Sequence, residues 1–465
     1  MIYIKNPSVT LYAFHLRTDF EKEVVADAAH LWEKLTQLSN VIPELQQLPE
    51  KLICYQNGKY NPIAEQGQQT DYLELIQPER VLNFSSKNQD ILTGSVYPLR
   101  LHDTYAVDLT LSYQNQEIAI NNLHRLNPQN CLMPNNIQAS LGQTLLLYGE
   151  PVGDNITNQD LANKYVKTVL QEIPSFKQQG QLFGSPIFVY ETISTKNAPH
   201  SNELTHILVW LGKHEQTVKL AEKSTPWLIN LLNCHHKILF TYHQANQSNE
   251  LARKIYQKLD AKNKQLNQLP TIQEQRLKLL ENILNETSDN TFKYANHLRN
   301  LTDHHTTIEI NITNYIKWLG HIRDLSLATD NLQFLKDFHT NNCQHYQQQT
   351  KVYLDYLKPG HNLFEQFITT ILGLVNIGEQ KQQLIRAEKF EFLITFIGAA
   401  VGTGAISATV IPDPLSLFEI PQWLNNLPLL KEILKVMFHL IIGGAIAMIL
   451  TPLISVIARW FTRKE

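Results

Sequence analysis

The chain is poor in cysteine, and the four it has, Cys54, Cys131, Cys234 and Cys343, lie scattered with no CxxC pair. That excludes a disulfide framework or a zinc ribbon and fits free thiols in a reducing compartment. Neither sign of charge is in excess. Lys+Arg number 40 against 43 Asp+Glu, a formal net charge of −3, which excludes a general nucleic-acid surface. No nucleic-acid partner is expected. The sequence has no Walker loop, no GxGxxG and no HExxH, so no enzymatic activity is expected, no cofactor is identifiable and the metal content stays unknown. The opening MIYIKNPSVTLYAF lacks the basic head and long apolar run of a secretory signal, which predicts a body that is not exported.

What the chain does have is a polar body and an apolar end. Its length of 465 residues implies two or three units. Phe392 to Ile411 is twenty residues without a charge, enough as a helix to cover about 30 Å of hydrocarbon. Val436 to Ala458 supplies a second run, interrupted by His439 and Pro452. Two transmembrane helices are predicted, at 391–411 and 436–458, joined by an external loop (412–435) and followed by a basic tail (459–465). Lys381, Arg386 and Lys389 precede the first run and Arg459, Arg463 and Lys464 follow the second, whereas the loop holds Lys431 and Lys435. This asymmetry puts both termini in the cytoplasm of an inner-membrane protein. Phe418, Trp423 and Trp460 suit interfacial anchors, as does His439 near the outer mouth.

Within the first run Thr395, Gly398, Gly402, Ala405 and Thr409 recur at helical spacing, with Thr403 and Ser407 one position round. Gly443, Ala447 and Thr451 repeat the pattern in the second. Small residues let helix backbones approach, so packing is one use of the stripe; a hydroxyl-bearing pore lining is the other.

Residues 246–390 are predicted to form a long helical, coiled-coil-like stalk. After a capping box at Thr271 and Glu274, a seam alternating steps of three and four runs from Leu277 through Leu284, Thr291, Tyr294, Leu301, His305, Ile312 and Leu319 to Ile322. His305, beside His304 and Asp303, is either a tolerated seam residue or a pH or metal element. Gly320 and Thr329-Asp330 predict a reversal, and Leu332 to Leu357 a further helix stopped by Lys358-Pro359-Gly360. From 361 onward the chain lacks proline as far as 411, predicting a rod of about 75 Å. Its apolar residues, among them Leu363, Phe367, Ile371, Leu374 and Ile377, are too many for one wet helix, which implies a homo-oligomer.

The first 245 residues are predicted to form an α/β (or α+β) domain with a mixed sheet. Val9 to Arg17 reads as a strand and 21–39 as a helix. Tyr105 to Tyr113 alternates and is expected to pair with EIAI (117–120) in a hairpin with one wet face. The runs at 145–148, 187–190, 207–210 and 238–240 are continuously apolar, as strands covered on both faces should be. Helices are expected at 158–173 and 226–234, the latter with Pro226 in its first turn, and strand 237–243 leads into helix 249–269. Candidate chemistry is sparse: Cys234-His235-His236 as a helix end or metal ligands, Lys213 and His214 at a strand's carboxyl end, and GEPVGD (149–154) as a turn.

This order of body, stalk, rod, two apolar runs and the tail ARWFTRKE (458–465) resembles the CorA family of magnesium channels. The resemblance implies a funnel-shaped homopentamer in a lipid bilayer, with the first span lining a cation pore and divalent cations such as magnesium sensed between cytoplasmic domains. Where the family carries Gly-Met-Asn, this chain reads ATVIPDP. CorA-like membrane effectors of type III CRISPR defence also depart there, which makes a nucleotide-triggered effector the competing expectation, beside a non-conducting membrane-tethered scaffold.

Overall fold

Tyr3–Leu16 is rich in β-branched and aromatic residues and forms the long central strand β1. The computed structural model describes residues 2–19, 23–65, 72–85, 92–153, 156–172, 174–193, 204–266 and 268–379. After β1 come α1 (His30–Gln37), α2 (Leu48–Lys51), β2 (Tyr55–Gln56), β3 (Lys59–Tyr60), β4 (Tyr72–Glu74) and β5 (Leu82–Ser85). Then follow β6 (Thr93–Leu101), β7 (Thr104–Ser112), β8 (Glu117–Ala119), α3 (Pro134–Ile137), β9 (Gly142–Val152) and α4 (Asn158–Leu170). The sheet closes with β10 (Ser175–Leu182), β11 (Ser185–Ile193) and β12 (Leu204–Leu211), before α5 (Thr217–Leu266), α6 (Gln273–Asp324), α7 (Gln333–Asp337) and α8 (Gln344–Glu379).

Ten strands make one mixed sheet in the order β10-β11-β12-β9-β1-β7-β6-β4, with β5 beside β6 and β8 beside β1. Among the described strands β12 and β9 alone run parallel. Side chains of β1 alternate between two cores. Val9, Leu11 and Ala13 join Trp32 of α1 and Leu161 of α4 on one face. Tyr12 and Phe14 join Leu232 and Ile238 of α5, Tyr315 of α6 and Phe334 of α7 on the other. Each fully buried side chain of this size contributes about 1.5–3 kcal/mol over leaving it exposed. The edge strand β10 is closed off from further pairing: Gln181 and Asn331 exchange backbone hydrogen bonds at 2.9 Å. The Asp330 carboxylate accepts from the amides of Phe183 and Gly184 in the β10–β11 turn, both at 2.7 Å.

The mixed sheet, β9, β11, β12 and α4 follow the expected pattern, and several elements do not. The 238–240 run is helical, inside the 50-residue α5. Leu228, Leu231, His235, Ile238, Thr241 and Ala245 are all buried, a spacing of three and four that outweighs one apolar triplet. Pro226 lies inside α5 and not in its first turn, and Pro359 lies inside α8 without ending it. Packing on both sides of each proline carries the helix through. The helix expected from residue 21 starts at His30, because Val25 donates to Arg17 O and Thr18 bridges Val24. EIAI lies against β1, whereas β7 pairs with β6 and β1, and Ala106 on its supposedly wet face is buried in the stalk-side core.

The stalk seam is realised on α6: Leu280, Leu284, Thr287, Thr291, Tyr294 and Leu301 are buried, as are Ile308 through Ile322 at the same spacing. Two compact units divide the chain, Met1–Asn263 with Thr287–Glu365, and Lys264–Glu286 with the residues from Gln366 on. In the second, Leu280, Ile283, Leu284, Phe367, Ile368 and Ile371 are buried within the single chain. Phe367 and Ile371 are thus covered by the chain itself. Leu363, in the first unit, stays 41% exposed.

Gly360 shows how tightly α8 fits. A Cβ there would lie 2.3 Å from the hydroxyl of buried Tyr294, which donates to Leu357 O at 2.7 Å. Gly360→Ala is expected to destabilise by about 1–2 kcal/mol, overpacking outweighing the helix-propensity gain. Tyr294→Phe in the same chain removes the tightest of these contacts and should recover part of the loss in a denaturation cycle. Additive losses would contradict the contact.

Candidate functional site

The parallel pairing of β12 with β9 sets His206 opposite Thr144. Leu146 and Leu208, two residues along each strand, belong to the stalk-side core, so Thr144 and His206 face α5 as well. From the middle of α5, and not from a helix end as expected, come Cys234, His235 and His236. Thr144 Oγ1 lies 3.1 Å from His206 Nδ1 and 2.8 Å from His236 Nε2. One hydroxyl proton cannot serve two acceptors, so at least one ring donates to the threonine. His206 stacks on His235 with centroids 4.9 Å apart, and His235 meets Phe338 at 4.0 Å.

Phe338 opens a π-helical turn, Phe338–Cys343, between α7 and α8. Such turns occur frequently at functional sites because the extra residue re-aims a side chain. Gly142 supports the cluster from the sheet: its φ is +126°, and a Cβ would lie 2.7 Å from His236 Nδ1. Beside the cluster, Lys237 forms an ion pair with Asp103 at the β6–β7 turn, holding α5 to the sheet.

Burial governs the chemistry. His206, His235 and His236 are 7%, 8% and 1% exposed. Desolvation pushes His206 down to about 4 and His236 down to about 3, with repulsion from His206 adding to the latter. His235 is pushed well below the usual histidine range by burial and then by both neighbouring rings. All three are neutral at pH 7, and His235 Nε2 has no hydrogen-bond partner, a standing cost in a dry site. Among the described residues no group of three or more His, Cys, Asp or Glu is arranged to hold a metal. The cluster is a buried polar joint between sheet and helix.

A second buried polar group sits in the sheet's other core. Glu65 accepts from Arg17 Nε at 2.9 Å, Arg100 Nη1 at 3.3 Å and the Tyr105 hydroxyl at 2.5 Å. Ion pairing and hydrogen bonds together keep this carboxylate tolerable at 0% exposure. It fastens the segment before β4 to β1, β6 and β7.

The other sequence candidates take structural places. Lys213 and His214 donate their amides to Ser185 Oγ at 2.9 and 3.2 Å, and His214 Nδ1 accepts from Gln216 N at 3.2 Å. They shape the entry to α5. Residues 149–152 of GEPVGD continue β9, paired with Tyr3, Ile4 and Lys5, in place of the expected turn. His305 reaches across from α6 to Thr350 Oγ1 on α8 at 2.8 Å. His304 is buried beside it, its pKa pushed down to about 4. His206, Thr144 and Phe338 were not legible as partners of the histidine pair; an isolated histidine in an apolar strand was their one signal.

The membrane candidates lie outside the described residues: Thr395, Gly398, Gly402, Thr403, Ser407, Thr409, Trp423, His439, Gly443, Ala447, Thr451, Arg459, Trp460, Arg463 and Lys464. Among the described residues no helix is long and apolar enough to cross a membrane. Compared with known proteins, the chain matches no family model, no curated protein and no solved structure.

Stability should fall with acid in a set direction. Unfolded histidines bind a proton below about pH 6.5, and the buried ones do so only at lower pH. The unfolded state therefore holds more protons from about pH 6.5 down through the folded values, and each such histidine costs up to about 1.4 kcal/mol per pH unit there. The melting temperature is expected to drop between pH 7.5 and 5. His235→Phe, which keeps the stack on Phe338 and removes the unpaired nitrogen, should leave the pH 7.5 value unchanged or higher and reduce the acid drop. An unaltered drop would contradict the assignment.

Proposed function

We propose that this protein is an oligomeric, CorA-like inner-membrane protein, a cation channel or transporter whose sheet-and-stalk body governs a pore made by its two C-terminal runs. The observation that carries the reading is the pair of charge-free runs, Phe392–Ile411 and Val436–Ala458, with basic residues concentrated outside the pair. The helix before them adds support. α8 continues through Pro359 and Gly360 to Glu379, so the described chain on the approach to the first run is helical. α8 also shares its base with the π-helical turn that touches the histidine cluster.

In this reading Thr395, Gly398, Gly402, Thr403, Ser407 and Thr409 line or pack the pore, and Gly443, Ala447 and Thr451 pack the second span against it. Trp423, Arg459, Trp460, Arg463 and Lys464 hold the spans at the bilayer surfaces. Divalent cations, magnesium first, are the expected cargo, and the assembly is a pentamer by analogy.

The test is cation flux in proteoliposomes, with subunit number measured by native mass spectrometry on the same sample. A ring of several subunits that conducts is expected, and Thr403→Trp or Ser407→Trp should cut the flux severalfold without changing the subunit number. A stable dimer without flux would overturn the reading and leave a membrane-tethered scaffold. Flux that appears only with an added nucleotide would replace a constitutive channel with a triggered effector.

A further inference from the structure

The stalk contains a cleft whose lining differs from the apolar seam around it. α6 packs through leucine, isoleucine and tyrosine, but α5 and α8 face each other over two turns through aromatic and polar side chains. On α5 these are Asn249, Arg253, Tyr256 and Gln257; on α8 they are Gln349, Tyr353 and Tyr356, with Val352 beside them. Spacings of three and four put each set on one helix face. Between them lies a cleft of about 520 Å³ floored by Tyr294 and Leu357, in the size range of small-molecule sites.

The floor is rigid. Tyr294 is fully buried, bonded to Leu357 O, and admits only glycine at position 360. The rim is not covered. Tyr356 is 82% exposed, the most exposed large apolar side chain among the described residues, and stands at the mouth with Tyr353 one turn before it. Tyrosines on both walls form plates on which a flat ring stacks. Arg253 is the one charged side chain in the lining, and a guanidinium there selects an anionic group. Asn249, 7% exposed, offers a donor and an acceptor to the edge of a heterocycle.

We infer that this cleft binds a planar heteroaromatic anion, its ring stacked among Tyr256, Tyr353 and Tyr356 and its phosphate or carboxylate held by Arg253. The inference is independent of the membrane reading, since every residue it uses lies in the described stalk. Full-length protein in detergent micelles is titrated with flavin mononucleotide, read by flavin fluorescence quenching, and with adenosine monophosphate, read by calorimetry. Riboflavin and adenosine are the uncharged counterparts.

At least one anionic probe is expected to bind saturably at one site per chain and about tenfold or more tighter than its uncharged counterpart. Tyr356→Ala should weaken it by about tenfold, and Arg253→Gln should abolish the preference for the charged probe. Both side chains are exposed, so the variants should melt with the parent. No saturable binding of either probe up to about 1 mM, or binding that both variants leave unchanged, overturns the site.

Discussion

Strands β1, β9 and β12 carry large apolar side chains on both faces, and a sheet of that kind has to be covered twice. The rest of the architecture follows from that requirement. Short helices α1 and α4 cover one face. The second face is covered by the first half of α5, the second half of α6 and the segment from Leu332 to Cys343, so α5 cannot be a tether hung from the sheet; it is part of the sheet's core. The ion pair of Lys237 with Asp103 and the bridge of Asn331 to Gln181 tie the same elements at the sheet's margins.

That shared core also explains the histidine cluster. Where helix and sheet bury three imidazoles, the rings are tolerable only when neutral, and Thr144 supplies hydrogen bonds to two of them. Protonation would charge a buried site, which makes the cluster sensitive to acid. The π-helical turn at Phe338 links the cluster to α8, the helix that runs towards the apolar end of the chain.

Legibility in the sequence varied with the kind of signal. Continuous apolar runs at 145–148, 187–190 and 207–210 are β9, β11 and β12, and the long seam is α6, because burial imposes its period on the residues directly. The run at 238–240 misled because three apolar residues have no period of their own; the surrounding positions 228, 231, 235 and 245 carry it. Pro226 and Pro359 read as boundaries because local preference favours one, and tertiary packing overrode it. His206 joins His235 and His236 through strand pairing, which no spacing in the sequence expresses. The tyrosines of α8 stand at helical spacing, but their cleft exists only because α8 passes Pro359 and α5 reaches back far beyond residue 249.

The sheet and the first half of α5 pack as one core, which implies that they open as one cooperative unit. Native-state hydrogen exchange across a denaturant series tests it most directly, by giving an opening free energy for each protected amide. The amides of β9, β12 and residues 228–238 of α5 are expected to share one opening free energy, equal to that of global unfolding. Exchange of 228–238 through a separate, lower-energy opening, with β9 still protected, would contradict it.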